Sequence, residues 1–143
     1  MDRHMDRAGV TLTELLIVIA IIGILAAIAV PSYVGQQKRA ARTEAYANLE
    51  ALRLLQEQYY AENGEYADKN AASSGNIDGL TNIQGILKAF KPGSEGNLSY
   101  AYRINYTVVD NTTKLFNAVA TGKTKTKVTG DTFWINETNE KNF

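Results

Sequence analysis

The chain has 143 residues, with 15 basic and 15 acidic residues in formal balance, one histidine (His4) and no cysteine. That length holds one compact domain of ordinary size plus an extended appendage, and its neutral bulk charge exerts no global pull toward nucleic acid, anionic lipid or acidic substrates. Without cysteine there are no disulfides, thiolate metal sites or sulfur nucleophiles, and with its only imidazole at the extreme N-terminus the remainder lacks the usual proton shuttle, so no enzyme activity, metal or cofactor is expected.

Residues 1–9, MDRHMDRAG, are short and charged, with Arg3 and Arg7, and a second possible start at Met5 gives the shorter leader MDRAG. Residues Val10 to Val30 read VTLTELLIVIAIIGILAAIAV, which as a helix matches a hydrocarbon core about 30 Å thick. A secretory signal peptide would carry small residues after the apolar run. Here the small pair Ala8 and Gly9 precedes it, so a cut after Gly9 removes the charges and leaves the apolar helix on the mature protein.

Glu14 is the anomaly of this segment, since an ionised carboxylate inside a membrane span costs roughly 2.5 to 3.5 kcal/mol. One answer is that it lies near the surface and snorkels. The other is that cleavage creates an α-amino group on Val10, positive at neutral pH, four residues before Glu14. Such an amine can pair within the chain, or reach the carboxylate of a neighbouring chain and fix axial register.

The run GVTLTELLIVIAIIGILAAIAVPSY resembles the class III signal and N-terminal helix of type IV pilins: Gly before the cut, Glu as fifth mature residue, an Ile/Leu/Ala-rich span and Pro at its end. Val10 stands where Phe or Met is usual, and Ala8 where a basic residue often stands. The resemblance implies that Gly9 is read by a prepilin peptidase, that Val10 is the new and N-methylated terminus, and that Val10 and Glu14 guide filament assembly. It further implies a precursor inserted once in the inner membrane, an assembly platform with its ATPase as partners, and a homo-oligomeric extracellular pilus serving adhesion, motility or DNA uptake. Two relatives in function remain alternatives. One is a pseudopilin of type II secretion, although the calcium loop and Pro-rich segments expected of it are not evident; the other is a minor or DNA-binding pilin.

Pro31 lacks a backbone donor and Gly23 is a second weak point, so a helix break or kink is expected at these residues. A static kink and a segment that loses helical structure on packing into a filament, as the resemblance implies, both fit. Beyond Pro31, Val34, Ala41, Ala45, Leu49, Leu52, Leu55 and Tyr59 fall on one face at helical spacing, opposite Arg39, Thr43, Glu50, Arg53 and Glu57. Asn63 and Gly64 supply a stop, giving one interrupted helix to about Glu62, on the order of 80 Å long at about 1.5 Å per residue. Lys38, Arg39 and Arg42 either pair with Glu44, Glu50 or neighbouring subunits or form a solvated face.

The remaining chain divides into a connecting loop, 63–97, and a sheet-forming head, 98–143. The loop carries a short helix through Leu80, Ile83, Ile86, Leu87 and Phe90, ended by Pro92 and Gly93. Leu98, Tyr100, Tyr102, Ile104, Tyr106 and Val108 alternate as a strand, Asp110 to Thr113 form a turn, and Lys114 to Thr121 a second strand. Further strands are expected at Thr124 to Thr129 and Thr132 to Glu137. An antiparallel sheet on one long helix follows, an α+β fold with segments 1–9 (leader), 10–31 (membrane and assembly helix), 32–62 (amphipathic helix), 63–97 and 98–143.

Lys123, Lys125 and Lys127 would then lie on one face of a strand. There they either block unwanted strand addition at a sheet edge, which is the favoured reading, or touch phosphates in a DNA-uptake pilin. Nucleic acid is accordingly not the expected partner. The tyrosines show no continuous stack, and no oxygen-ligand spacing of the EF-hand kind is present.

Overall fold

The computed structural model describes residues 10–68, 75–109 and 114–143. Contacts divide the chain into two compact units, Met1–Gln36 and Gln37–Phe143, and helix α1, Leu12–Asn63, contributes its first part to one and its second part to the other.

In the first unit, the eleven large aliphatic residues between Leu15 and Val30 are each 51–70% exposed. At 3.6 residues per turn they occupy every face of the helix, so no rotation of it hides them. Sheltering side chains of this kind from water is worth about 1.5 to 3 kcal/mol each, a sum on the order of 20 kcal/mol, against which the few kcal/mol charged to Glu14 are minor. Helical structure continues through both Gly23 and Pro31. Neither residue interrupts the helix in the isolated chain, although Pro31 withholds the donor that would bond the carbonyl of Ala27.

In the second unit α1 becomes one-faced. Ala45, Leu49 and Leu52 are fully buried, flanked by half-buried Ala41, Leu55 and Tyr59, which is the stripe the sequence spacing predicts from Ala41 onward, whereas Val34, expected on the same face, is exposed. The helix ends where Gly64 takes a φ of 75° and its amide reaches back 2.8 Å to the carbonyl of Tyr60, while the Asn63 side chain bonds the Tyr59 carbonyl at 2.9 Å.

After the helix come β1 (Ile77–Asp78), α2 (Leu80–Ile86), β2 (Tyr100–Val108), β3 (Lys114–Gly122) and β4 (Thr132–Asn136). They form one antiparallel sheet in the order β1-β2-β3-β4. Strict alternation puts Tyr100, Tyr102, Ile104 and Tyr106 of β2 on the inner face, beside Phe116, Ala118 and Ala120 of β3 and Ile135 of β4. Register pairs large with small, Tyr102 opposite Ala120 and Ile104 opposite Ala118, which leaves the helix room to lie close. The α2 segment adds Leu80, Ile83, Leu87 and Phe90 to this core, with Phe90 edge-on to Tyr102 at 5.6 Å between ring centroids.

Polar groups complete the helix–sheet seam. The Asn48 amide donates to the Tyr102 hydroxyl at 2.8 Å. Gln56, fully buried, donates to the Tyr106 hydroxyl and the Ala67 carbonyl and accepts from the Ala67 amide. Burial pushes the Tyr102 hydroxyl up to about 12, and moves that of Tyr106 upward as well. Both rings are therefore neutral donors and acceptors at physiological pH. At the other end of the seam Tyr46 stacks on Phe143 at 4.4 Å and meets Phe133 edge-on at 4.8 Å, so aromatic packing holds β4 where no disulfide exists.

Two sequence expectations are corrected. Thr124 to Thr129 form turns, with no strand, and the two-residue β1 lies in the stretch read as connecting loop, too short to leave any alternation. The turn expected at Asp110 to Thr113 lies outside the described residues.

Gln56→Leu removes the partners of the Ala67 amide and carbonyl while keeping side-chain bulk. Leaving buried backbone groups unpaired costs about 1 to 3 kcal/mol apiece. Urea unfolding followed by Trp134 fluorescence is expected to show a loss of about 2 kcal/mol or more, with the slope of the transition unchanged.

Candidate functional site

Two places carry polar chemistry beyond packing: the start of α1 and the loop between β3 and β4. At the start of α1, Glu14 accepts from the Thr11 amide at 2.9 Å and from the Thr11 hydroxyl at 2.8 Å, both bonds falling on Oε2. The Glu14 amide in turn donates to the Thr11 hydroxyl at 3.2 Å. This is a capping box, in which Thr and Glu three residues apart satisfy donors that the first helical turn leaves open. The carboxylate is thus partly satisfied within its own chain. Val10, 78% exposed, precedes this turn, and the expected cleavage residue Gly9 lies outside the described residues. Thr11 was legible as the first residue of a Thr-x-x-Glu signature, but the sequence reading gave Glu14 only the Val10 amine as a partner.

The lysine stretch folds differently from its expectation. Gly122 ends β3, its amide bonds the Asp131 carbonyl at 2.9 Å, and the Asp131 amide bonds the Val128 carbonyl at 3.0 Å. Within the loop the hydroxyls of Thr126 and Thr129 both donate to the Lys123 carbonyl, at 2.7 and 3.0 Å. Val128 plugs the centre at 1% exposure. A Cβ on Gly122 would sit 1.9 Å from the Val128 carbonyl oxygen, so only glycine lets the loop fold back this tightly. Lys125 adopts a φ of 64°, in the left-handed region that breaks strand geometry. The Lys-Thr alternation copied the period of a strand, but backbone closure and threonine hydroxyls prevailed. Neither the shared strand face nor the protected sheet edge exists.

Consequently the three lysines separate. The Lys123 ammonium donates to the Glu95 carbonyl, while Lys125 and Lys127 stand exposed. With Gln37, Ala41, Ser99, Thr126 and Val128 they line a depression of about 370 Å³.

Asp131 closes the loop and ties it to α1. Its carboxylate accepts a two-pronged contact from Arg42, at 2.8 Å from Nε and 2.9 Å from the second nitrogen. The Tyr100 hydroxyl adds a bond at 3.1 Å, and the Lys38 ammonium lies 3.8 Å away. Arg42 above all, then Tyr100 and Lys38, hold the Asp131 carboxyl below the usual carboxylate range against an opposing effect of burial. Arg42 therefore pairs with an acid 89 positions away, and Lys38 lies against the same acid, not against Glu44 or Glu50. Glu50 instead meets Arg53 at 3.6 Å and Lys141. Asp131 had no local pattern to reveal it. Among the described residues, no group of His, Asp or Glu is arranged to hold a metal ion.

Comparison with known proteins bears on both places. A family model described as type IV minor pilin ComP, DNA uptake sequence receptor, matches residues 31–132, and a prokaryotic N-terminal methylation motif matches residues 4–30. The chain is 50% identical over 60 residues to the type IV major pilin protein PilA of Myxococcus xanthus (42% of this chain, 27% of that protein). It is 42% identical over 77 residues to a fimbrial protein of Neisseria meningitidis (54% and 44%). It is 47% identical over 64 residues to the type IV wide pilus major component PilA4 of Thermus thermophilus (45% and 49%). The chain thus spans less than half the length of each of these relatives. No solved structure matches it.

Gly122→Ala is expected to lower stability by about 1 to 3 kcal/mol by forcing the loop off its closure; Gly96→Ala, where nothing lies within 4 Å, serves as the control. For Asp131→Asn the dependence on pH is diagnostic. A depressed folded pKa means that the carboxylate contributes fully above its unfolded value of about 3.9 and progressively less as pH falls through the lower folded value. Thermal melts are expected to place the variant a few degrees below the native protein at neutral pH, with the gap closing in acid below about pH 4.

Proposed function

Because the chain belongs to the type IV pilins, and within them to the family described as type IV minor pilin ComP, DNA uptake sequence receptor, we propose that it is a structural subunit that polymerises through α1 into an extracellular pilus. The observation that carries this reading is the segment Leu15 to Val30, apolar on every face and exposed throughout. Such a surface is stable in lipid or among helices like itself. Filament assembly exchanges the first shelter for the second, and the role is a structural one with no reaction to catalyse.

In this scheme a prepilin peptidase cleaves after Gly9 and the new Val10 amine is methylated, in keeping with the methylation motif that matches residues 4–30. The precursor resides in the inner membrane, and an assembly platform with its ATPase draws the subunit outward. The Val10 ammonium of an arriving subunit meets the Glu14 carboxylate of its neighbour. Since both Thr11 bonds fall on Oε2, Oε1 is the oxygen that takes the incoming charge. Gly23 and Pro31, helical here, are the positions where the helix yields on packing.

A second reading, nucleic-acid binding by a minor pilin, is favoured by the description of the family that matches residues 31–132 and by the exposed lysines of the β3–β4 loop. It adds a ligand to the filament role and replaces nothing in it.

Glu14→Ala is expected to leave membrane insertion and the head intact while lowering the yield of sheared surface filaments about tenfold or more, each 1.4 kcal/mol of lost pairing being a factor of ten. N-terminal sequencing of the filament subunit should begin at methylated Val10. A normal filament yield from the Glu14 variant would remove the charge pair from the mechanism.

A further inference from the structure

We propose that the segment from Asn139 to Phe143 is an edge guard: it occupies the outer edge of β4 as a surrogate strand, with the Asn142 side-chain amide standing in for a peptide group, and so keeps β4 from pairing with β4 of a second copy of this chain. The inference goes beyond the filament reading and does not depend on it.

The need for a guard follows from the strand itself. Among the described residues β4 ends the sheet in the order β1-β2-β3-β4, and the opposite edge, β1, is two residues long, too short to template a partner. The sequence of β4, TFWIN, is rich in aromatic and β-branched residues and contains no charge, proline or glycine, the composition that favours strand addition. Lysine, a common protection of such edges, is missing from it, since Lys123, Lys125 and Lys127 precede it in a loop. An antiparallel edge is also self-complementary, because a two-fold axis brings each of its donors to its own acceptors. A second copy is thus the partner that fits it.

Each backbone group that β4 turns outward, from the Thr132 carbonyl to the Asn136 carbonyl, is taken by this segment. Asn142 Oδ1 accepts from the Trp134 amide at 2.8 Å, and its Nδ2 donates to the Thr132 carbonyl at 3.1 Å. The Asn142 amide donates to the Trp134 carbonyl at 3.4 Å, the Asn136 amide to the Glu140 carbonyl at 3.0 Å and the Asn139 amide to the Asn136 carbonyl at 3.1 Å. Asn139, at a φ of 65°, turns the chain back, and the Asn136 side chain fastens the turn by accepting from the Glu140 amide at 2.7 Å. Two anchors hold the segment to α1: the Lys141 ammonium on the Glu50 carboxylate and the Phe143 ring stacked on Tyr46 at 4.4 Å. Only Lys141 pairs as a strand residue, in a single bridge to Ile135, so the guard satisfies the edge without becoming a new one.

The chain has no cysteine, so one introduced thiol reports one position. Thr132→Cys on β4 and, separately, Thr107→Cys on β2, both at exposed positions, are placed in the full chain in detergent micelles and treated with a bismaleimide. Little linkage is expected at position 132 while the guard is intact. Asn142→Ala removes both bonds of the surrogate peptide, and Lys141→Gln with Phe143→Ala removes both anchors. Each is expected to raise linkage at position 132 about tenfold, the factor that losing one or two hydrogen bonds implies for opening, and to leave position 107 unchanged. Hydrogen exchange is expected to show the Trp134 and Asn136 amides losing protection in the same variants while those of β2 keep it. Gln56→Leu, whose bonds lie elsewhere, is the control for general loss of stability.

Equal linkage at position 132 with and without Asn142→Ala would overturn the guard, as would Trp134 and Asn136 amides that exchange freely in the native chain. A matching rise in Gln56→Leu would replace it with general loosening, and a matching rise at position 107 with crowding through α1.

Discussion

Apolar side chains distributed around the whole circumference of a helix have nowhere to go in water. From Leu15 to Val30 no face of α1 is polar, and the sum of the unmet burial far exceeds the cost of the one carboxylate at its start. Such a segment is stable in a bilayer or among helices like itself.

Polar seams help to hold the head together. Gln56 joins helix, sheet and the chain leaving the helix; Asn48 ties the helix to Tyr102; Arg42 and Asp131 tie it to the loop after β3. Each is paired with good geometry, so each specifies how the helix lies on the sheet instead of costing stability. Without cysteine, covalent closure of the C-terminal region is unavailable, and the Tyr46, Phe133 and Phe143 cluster together with the Arg42–Asp131 contact serves in its place.

The Thr11–Glu14 box and the Arg42–Asp131 clamp illustrate one principle at opposite ends of the architecture. In both, a carboxylate is held by donors of its own chain. Glu14, at the start of the apolar segment, is partly satisfied by Thr11. Asp131 takes bonds from Arg42 and Tyr100, with Lys38 close by. Hydrogen bonds from the same chain make each charge tolerable.

What the sequence by itself determined is everything that depends on near neighbours along the chain. The apolar run, the stripe through Ala45, Leu49 and Leu52, the stop at Asn63 and Gly64 and the alternation through Tyr100 to Tyr106 all follow from periodicity and local stereochemistry. Tertiary structure alone decided what depends on groups brought together from afar. Arg42 finds Asp131, Gln56 finds Ala67 and Tyr106, and a Lys-Thr alternation that mimics a strand closes into a loop because Gly122 can approach the Val128 carbonyl. A side chain's reach is a few ångströms in space, whereas periodicity reports only neighbours along the chain, and for these residues the two do not coincide.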